Sequence, residues 1–68
     1  MAAVVARFKP ECKLVGENGN VFNLLAIAKN VLNRNDMRQE AAEMQARVLK
    51  CGGYDEALNI IGEYVDVI

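Results

Sequence analysis

The stretch Val21–Leu32 constrains the fold of this chain more than any other. Phe22 and Ile27 flank its apolar stripe and widen the apolar face toward a second neighbour. Asn20 suits the N-cap, because its side-chain oxygen can accept a hydrogen bond from an otherwise unpaired backbone N–H, and Gly19 allows a sharp turn just before it. We therefore predict a central helix over about 21–33. The stripe recurs at intervals of three and four residues, the period of one helix face, and comprises Val21, Leu24, Leu25, Ala28, Val31 and Leu32.

Residues 6–15 alternate between apolar and polar, which is the period of a half-buried strand. Pro10 has no N–H to donate to a sheet, so this segment is either one edge strand or two short strands, 3–8 and 11–15, that meet at a Lys9-Pro10 turn. A single strand leaves its backbone groups unpaired. Three partners are open: the other half of a hairpin, the C-terminal Val65–Ile68, or a second copy of the chain.

A second helix is predicted over about 36–51. Asp36 followed by Gln39 three positions later resembles a capping box. Glu43 is placed to pair with Arg47 one turn on, and Gly52 suits a left-handed position just after the helix. The narrow stripe favours packing within the chain over a dimer seam, with Leu49 at its side. This stripe comprises Met37, Ala41, Met44, Val48 and Cys51.

A third helix is predicted over about 55–65, with Gly53 or Asp55 as its cap. Its helical period is carried by Ala57, Leu58, Ile61, Tyr64, Val65 and Ile68. The polar face is acidic and carries Asp55, Glu56, Glu63 and Asp66. We interpret it as a solvated face, with a docking surface for a basic partner as the alternative.

Together these elements predict an α+β fold in a single small domain, residues 1–68. One N-terminal β-strand or hairpin, at about 3–15, packs on three helices at about 21–33, 36–51 and 55–65. A domain of this length buries only about 60% of the surface of its unfolded chain, so a partner could contribute to its stability. We expect the core to contain Phe8, Leu14, Leu24, Leu25, Ala28, Met44, Val48, Leu58 and Ile61.

The chain contains no His, Ser or Thr. Ser–His–Asp triads, Cys–His pairs and histidine metal sites all require an imidazole, so none of them can be assembled. Carboxylate pairs such as Glu40 and Glu43 would need a desolvated cleft, for which so short a chain has little room. We expect no enzyme activity, no catalytic residues, no cofactor and no metal site.

Two further features are assigned structural roles. The loop Gly16–Asn20 leads from a strand into a helix, where proteins often bind phosphate, but it lacks the glycine pattern and the lysine of such loops and carries Glu17. We interpret it as a turn and a cap. Cys12 and Cys51 lie 39 positions apart without metal or redox spacing, and we expect both to be reduced, buried small hydrophobes.

Charge and hydropathy restrict the partners. The net charge of −1 provides no overall field for nucleic acid, although several basic residues, together with two helices joined by the short polar break 33–35, keep a nucleic-acid hypothesis open. These basic residues are Lys29, Arg34, Arg38, Arg47 and Lys50. Acidic residues share the second helix, which argues against it. The chain has no 18-residue apolar run and no signal-like start, so we expect a cytoplasmic location and no membrane partner.

The segment Lys13–Phe22 carries a K-L-V-G-E-x-G-N-x-F pattern. With Gly53-Tyr54-Asp55 and the terminal Val65-Asp66-Val67, it resembles an opening shared by small uncharacterised bacterial and phage-type proteins. The resemblance covers Cys12 to the end of the chain. It implies a shared family but no activity, because that group has no known function.

We therefore expect a small non-catalytic protein-interaction module that binds an unknown protein partner or forms a homodimer through its N-terminal strand. The alternative is a nucleic-acid-binding accessory protein.

Overall fold

A computed structural model of the chain describes residues 9–68, which form three helices and two short strands. The hairpin half predicted at 3–8 and the predicted core residue Phe8 lie outside these residues. The elements follow in the order β1 (Glu11–Cys12), α1 (Val21–Arg34), α2 (Arg38–Lys50), α3 (Tyr54–Tyr64) and β2 (Asp66–Val67). The predicted α+β class is confirmed, and each helix lies within two residues of its predicted bounds.

The three helices pack against one another around a single apolar core, and β1 packs against α1. Seven of the nine expected core residues are buried, and Leu58 is partly buried against the core, while Phe8 lies outside the described residues. The buried set also includes residues that the prediction omitted, which come from all three helices, from β1 and from Val65 just before β2. The buried residues are Cys12, Leu14, Leu24, Leu25, Ala28, Leu32, Ala41, Met44, Val48, Ala57, Ile60, Ile61, Tyr64 and Val65.

The strand pair joins the two ends of the described chain. β1 and β2 run parallel, with Glu11 opposite Asp66 and Cys12 opposite Val67. The Asp66 N–H donates to the Pro10 carbonyl at 2.9 Å, and the Ile68 N–H donates to the Cys12 carbonyl at 3.0 Å. Three pairing partners were open for the N-terminal strand, and the structure shows that the C-terminal segment is its partner. Pro10, which has no N–H to donate, takes part in this pairing through its carbonyl.

Val65 and Ile68 do not continue the third helix as the helical period predicted. The backbone is already extended at Val65, which is buried, and the chain then enters β2. The Ile68 carbonyl accepts hydrogen bonds from the N–H groups of Leu14 and Val15, at 2.9 and 3.1 Å. Pairing of this segment with β1 satisfies the N–H groups of Asp66 and Ile68 and the carbonyl of Ile68. The last carbonyls of a longer α3 would have no partner within the helix, so the chain forms a strand here instead of a further helical turn.

The capping box predicted at Asp36 and Gln39 is wrong. Asp36 has a φ of +60°, and its N–H donates to the carbonyl of Asn33, while the Met37 N–H donates to that of Leu32 at 2.8 Å. These bonds form a Schellman motif, in which the residue just past the helix adopts the left-handed conformation. Asp36 therefore ends α1, and α2 begins at Arg38 after Met37, which provides no side-chain cap.

The left-handed position predicted for Gly52 is also wrong. Among the glycines of residues 9–68, only Gly16 has a positive φ. The chain leaves α2 through an extended Cys51, and Gly53 is the N-cap of α3. Glu56 reaches back to accept a hydrogen bond from the Gly52 N–H at 3.2 Å, so the helix begins at Tyr54 with one of its preceding amides satisfied.

Candidate interaction surface

Large apolar side chains are exposed mainly in one connected region of the described chain. Five of the six such side chains in residues 9–68 line two clefts that meet at Tyr54. We call this region the Tyr54 surface; its exposed members are Val15, Phe22, Leu49, Tyr54 and Val67. A connected apolar surface of this kind is a usual sign of a binding site, whereas scattered exposed apolar residues are not.

The first cleft, which we call the Phe22 cleft, lies where the start of α1, the end of α2 and the start of α3 meet. Its volume is about 330 Å³. Phe22 and Leu49 stand at its edge with 65% and 59% of their surfaces exposed. Its other lining residues are Val21, Val48, Cys51, Gly52, Gly53, Tyr54 and Ala57. None of these described lining residues is charged, so the cleft offers an apolar contact surface.

The second cleft, the Val15 cleft, lies between the strand pair, the loop before α1 and α3. Its volume is about 420 Å³. Val15 is the most exposed of its apolar residues, at 69%, and Glu17 is its only charged one among the described residues. The remaining lining residues are Leu14, Gly19, Leu24, Tyr54, Leu58 and Val67.

Tyr54 forms the boundary between the two clefts. Its hydroxyl donates a hydrogen bond of 2.7 Å to the carbonyl of Gly19, which fixes the first residue of α3 to the loop before α1. A Cβ at position 19 would lie 3.4 Å from this hydroxyl, so the loop approaches the tyrosine closely. The hydroxyl is thereby satisfied, and the ring presents an apolar face that is partly exposed.

Asparagine side chains hold the loop that precedes α1. Asn18 accepts a hydrogen bond from the Asn20 N–H, and Asn20 accepts one from the Phe22 N–H, both at 2.9 Å. The Asn23 side-chain amide donates to the Asn18 carbonyl at 2.9 Å. The N-cap role predicted for Asn20 is confirmed. This bonding fixes the first turn of α1 and with it the position of Phe22, whose side chain is exposed beyond the core.

The opposite end of α3 is held by polar contacts. Arg47 on α2 makes two hydrogen bonds to the carboxylate of Glu63, at 2.7 and 3.1 Å, and a third, of 3.1 Å, to the Tyr64 hydroxyl. That hydroxyl donates to Glu43 at 2.6 Å. The predicted pairing of Glu43 with Arg47 is therefore wrong, because Arg47 reaches across to α3 instead. We call these four residues the Tyr64 network.

The Tyr64 network shifts the pKa values of Tyr64, Glu63 and Arg47. Desolvation is the larger cause of the raised pKa of Tyr64, and its hydrogen bond to Glu43 adds to it. The hydrogen bonds from Arg47 hold the pKa of the Glu63 carboxyl below its usual value. The same bonds raise the pKa of Arg47, which stays charged. The network is thus a charge-assisted link between α2 and α3.

The two cysteines differ in their surroundings. Cys12 is buried, and this burial raises the pKa of its thiol, partly offset by the charge of Arg34. A thiol in such a site is a small apolar core group with little nucleophilic thiolate. Cys51 is partly exposed in the Phe22 cleft, and its Sγ lies 3.4 Å from the Gly53 carbonyl. Both thiols are free, and the burial expected for both holds fully only for Cys12.

The basic residues singled out in the sequence lie on α1 and α2, and two of them, Arg47 and Lys50, share a cleft with Glu56 and Glu63 of α3. Arg47 belongs to the Tyr64 network, Lys29 is half-buried, and Arg34, Arg38 and Lys50 are exposed. Across residues 9–68 no group of three or more His, Cys, Asp or Glu residues is placed to hold a metal ion. In the same residues no helix is long and apolar enough to cross a membrane.

The Tyr54 surface is not predicted from the sequence, in which Phe22 widens a helix face and Leu49 lies at the side of the second stripe, both as packing residues. A usable signal was present, because both lie off the buried stripes of their helices. Relating them to Val15 and Val67 required the three-dimensional arrangement of four separate elements.

Comparison with protein-family models finds no family that matches this chain, and comparisons with curated proteins and with solved structures find no match either.

Proposed function

We propose that this chain is a small, non-catalytic protein-interaction module of the cytoplasm that docks to a protein through the Tyr54 surface. One observation carries the proposal: most of the exposed large apolar side chains of residues 9–68 lie on one connected region with two clefts. Leaving them in water is unfavourable in proportion to their apolar area, and a docked partner would remove that area from water.

The local structure of the Tyr54 surface supports a docking role. Phe22 and Tyr54 belong to first turns of helices that are fixed by hydrogen bonds to the loop Gly16–Asn20 and to Gly53. A pre-organised surface loses little conformational entropy when a partner binds, and aromatic side chains are common anchors of interfaces. The K-L-V-G-E-x-G-N-x-F segment, which includes this loop and Phe22, would then serve to position the surface.

The nucleic-acid alternative has weaker support. Arg47 is engaged by Glu63, and an apolar, largely uncharged surface offers little to phosphate groups. A titration with duplex DNA at about 50 mM salt tests this alternative, because phosphate contacts are strongest at low salt. We expect no binding at micromolar protein.

A photo-cross-linking amino acid placed at Leu49 or at Val15 tests the docking proposal in cells. Gln39 provides the control position, because it is exposed on the same helix as Leu49 but lines neither cleft. We expect a discrete protein adduct from each of the two surface positions and none from Gln39. Equal labelling from all three positions, or no adduct from either surface position, would contradict the proposal.

A further inference from the structure

We propose that β2 receives an extended apolar segment of the partner protein as a third strand, at the Val15 cleft of the Tyr54 surface. This inference rests on the proposed function and states which kind of segment docks there. The backbone of the segment pairs with the outer edge of β2, and its apolar side chains contact the Val15 cleft. In this mode of peptide recognition the backbone bonds give affinity and alternate side chains give specificity.

The outer edge of β2 has backbone groups that are available for pairing. Successive residues of a strand direct their N–H and carbonyl groups to opposite edges. The N–H groups of Asp66 and Ile68 both donate to carbonyls on the β1 side of the sheet. The N–H and carbonyl of Val67 therefore point away from β1, and within the described chain neither group has a hydrogen-bond partner. A further extended backbone supplies the donor and the acceptor that these two groups need.

The position of Val67 connects this edge to the Val15 cleft. Val67 pairs with Cys12, which is buried, and paired residues of a sheet point to the same face. Val67 is nevertheless 43% exposed, and it lines the Val15 cleft together with Leu58 of α3. A residue placed opposite Val67 on a third strand points to the same face and so toward this cleft.

The two edges of the strand pair differ in their protection against a further strand. Lysine and proline at an edge disfavour the addition of another strand. β1 is flanked by Lys9, Pro10 and Lys13, whereas neither β2 nor the residues next to it include a lysine or a proline. The apolar side chains of Val67 and Ile68 are exposed at β2. The edge that suits an added strand is therefore that of β2.

The charge at the Val15 cleft indicates a further property of the docked segment. Glu17 is the only charged residue among the described residues that line the cleft. It lies two positions after Val15, whose N–H donates to the carbonyl of Ile68 just after β2. A basic residue at one end of the segment can therefore pair with Glu17. The expected occupant is an extended segment with apolar residues at alternate positions and a basic end.

A synthetic peptide of this kind provides the probe. The peptide Lys-Val-Thr-Val-Thr-Val-Lys is titrated into the full chain, and calorimetry measures its dissociation constant. We expect saturable binding. Val15→Lys should raise the dissociation constant by about tenfold, because it places a charge in an apolar contact. Leu49→Lys adds the same charge in the Phe22 cleft and should leave the constant unchanged. No binding of the peptide, or equal effects of the two variants, would overturn the inference.

N-methylation of the peptide tests for strand addition. One edge of an added strand pairs with β2, and the valines and the threonines of the peptide direct their N–H groups to opposite edges. Methylation of one of these two sets should weaken binding by about fivefold or more, because it removes a backbone hydrogen bond. Methylation of the other set should leave the dissociation constant unchanged. Equal affinities of the two methylated peptides would overturn the third strand.

The cross-linking experiment separates this inference from the proposed function. Protein adducts from Leu49 and Val15 in cells, together with a peptide that does not bind or whose two methylated forms bind equally, overturn the third strand but leave the docking function in place. The absence of adducts from both positions, together with a peptide that does not bind, overturns both.

Discussion

The two tyrosines of this chain stand at the two ends of α3, and their surroundings differ. Tyr64 is buried to 2% exposure, and its hydroxyl bonds to two charged side chains of α2. Tyr54 is 47% exposed, and its hydroxyl makes one bond to a backbone carbonyl. Tyrosine thus forms part of the core at the C-terminal end of α3 and exposes an apolar ring at its N-terminal end.

The difference follows from what each end of α3 packs against. Tyr64 packs against α2, where the side chains of Arg47 and Glu43 reach its hydroxyl while its ring enters the core. At Tyr54 the neighbours are a glycine-containing loop and the end of α2, which are too small to cover the ring. We therefore expect substitutions at Tyr64 to change stability and substitutions on the Tyr54 surface to change association.

The largest expected effect comes from truncating each ring. Tyr64→Ala should lower the free energy of unfolding by about 3–5 kcal/mol, the usual range for a buried aromatic residue, which could unfold a domain this small. Tyr54→Ala should lower it by only about 1 kcal/mol, because the ring is half exposed and loses one hydrogen bond of ordinary strength. Urea denaturation followed by circular dichroism measures both. Equal losses in the two variants would contradict the proposed division of roles.

An intermediate effect is expected when only the hydroxyl groups are removed. Tyr64→Phe deletes the bond to the Glu43 carboxylate and the bond from the Arg47 guanidinium, and it should lower the free energy of unfolding by at least about 1.5 kcal/mol, the lower end for one hydrogen bond to a charged group. Tyr54→Phe deletes a neutral bond to Gly19 and should lower it by about 0.5 kcal/mol. Thermal unfolding of the two variants provides the comparison, and a larger loss for Tyr54→Phe would reverse it.

The smallest effect is a pH dependence at the Tyr64 network. Because Arg47 lowers the pKa of Glu63 in the folded state, the resulting stabilisation is present above the ordinary glutamate pKa of about 4.3 and is lost as the pH falls through the lower folded value. The effect is small because both side chains are substantially exposed. Glu63→Gln should remove this part of the acid dependence, whereas Glu56→Gln, a matched substitution on the same helix, should retain it. Unfolding curves between pH 3 and pH 6 measure the difference.

The sequence was sufficient to predict the helices, because each carries a buried stripe long enough to show a 3.6-residue period. The stripe from Val21 to Leu32 is the clearest case, and four of its six residues are buried. The two strands have only two residues each, which is too short for the alternation of apolar and polar residues that identifies a strand. Val65 and Ile68 therefore fitted the helical period only because of their spacing.

Two of the wrong predictions, the capping box at Asp36 and the pairing of Glu43 with Arg47, depend on features that residue type does not show. Asp36 has the side chain of an N-cap, and its left-handed backbone, which is favoured more by glycine or asparagine, cannot be recognised from residue type alone. Arg47 could reach either Glu43 on its own helix or Glu63 on the next, and only the packing angle of α2 and α3 decides between them. The Tyr54 surface depends on the same packing of the helices. Its apolar residues can be read from the sequence, but their position next to one another cannot.

The parallel pairing of β1 with β2 has a consequence for the order in which the molecule folds. The helices and the turns between them form from contacts close in sequence, whereas the bond between Pro10 and Asp66 closes a loop of more than fifty residues. Loop closure of this length has an entropic cost that local helix formation lacks, so the strand pair is expected to form after the helices have assembled. Residues 66–68 therefore close the fold last, by pairing with residues 10–12 once the helices are in place.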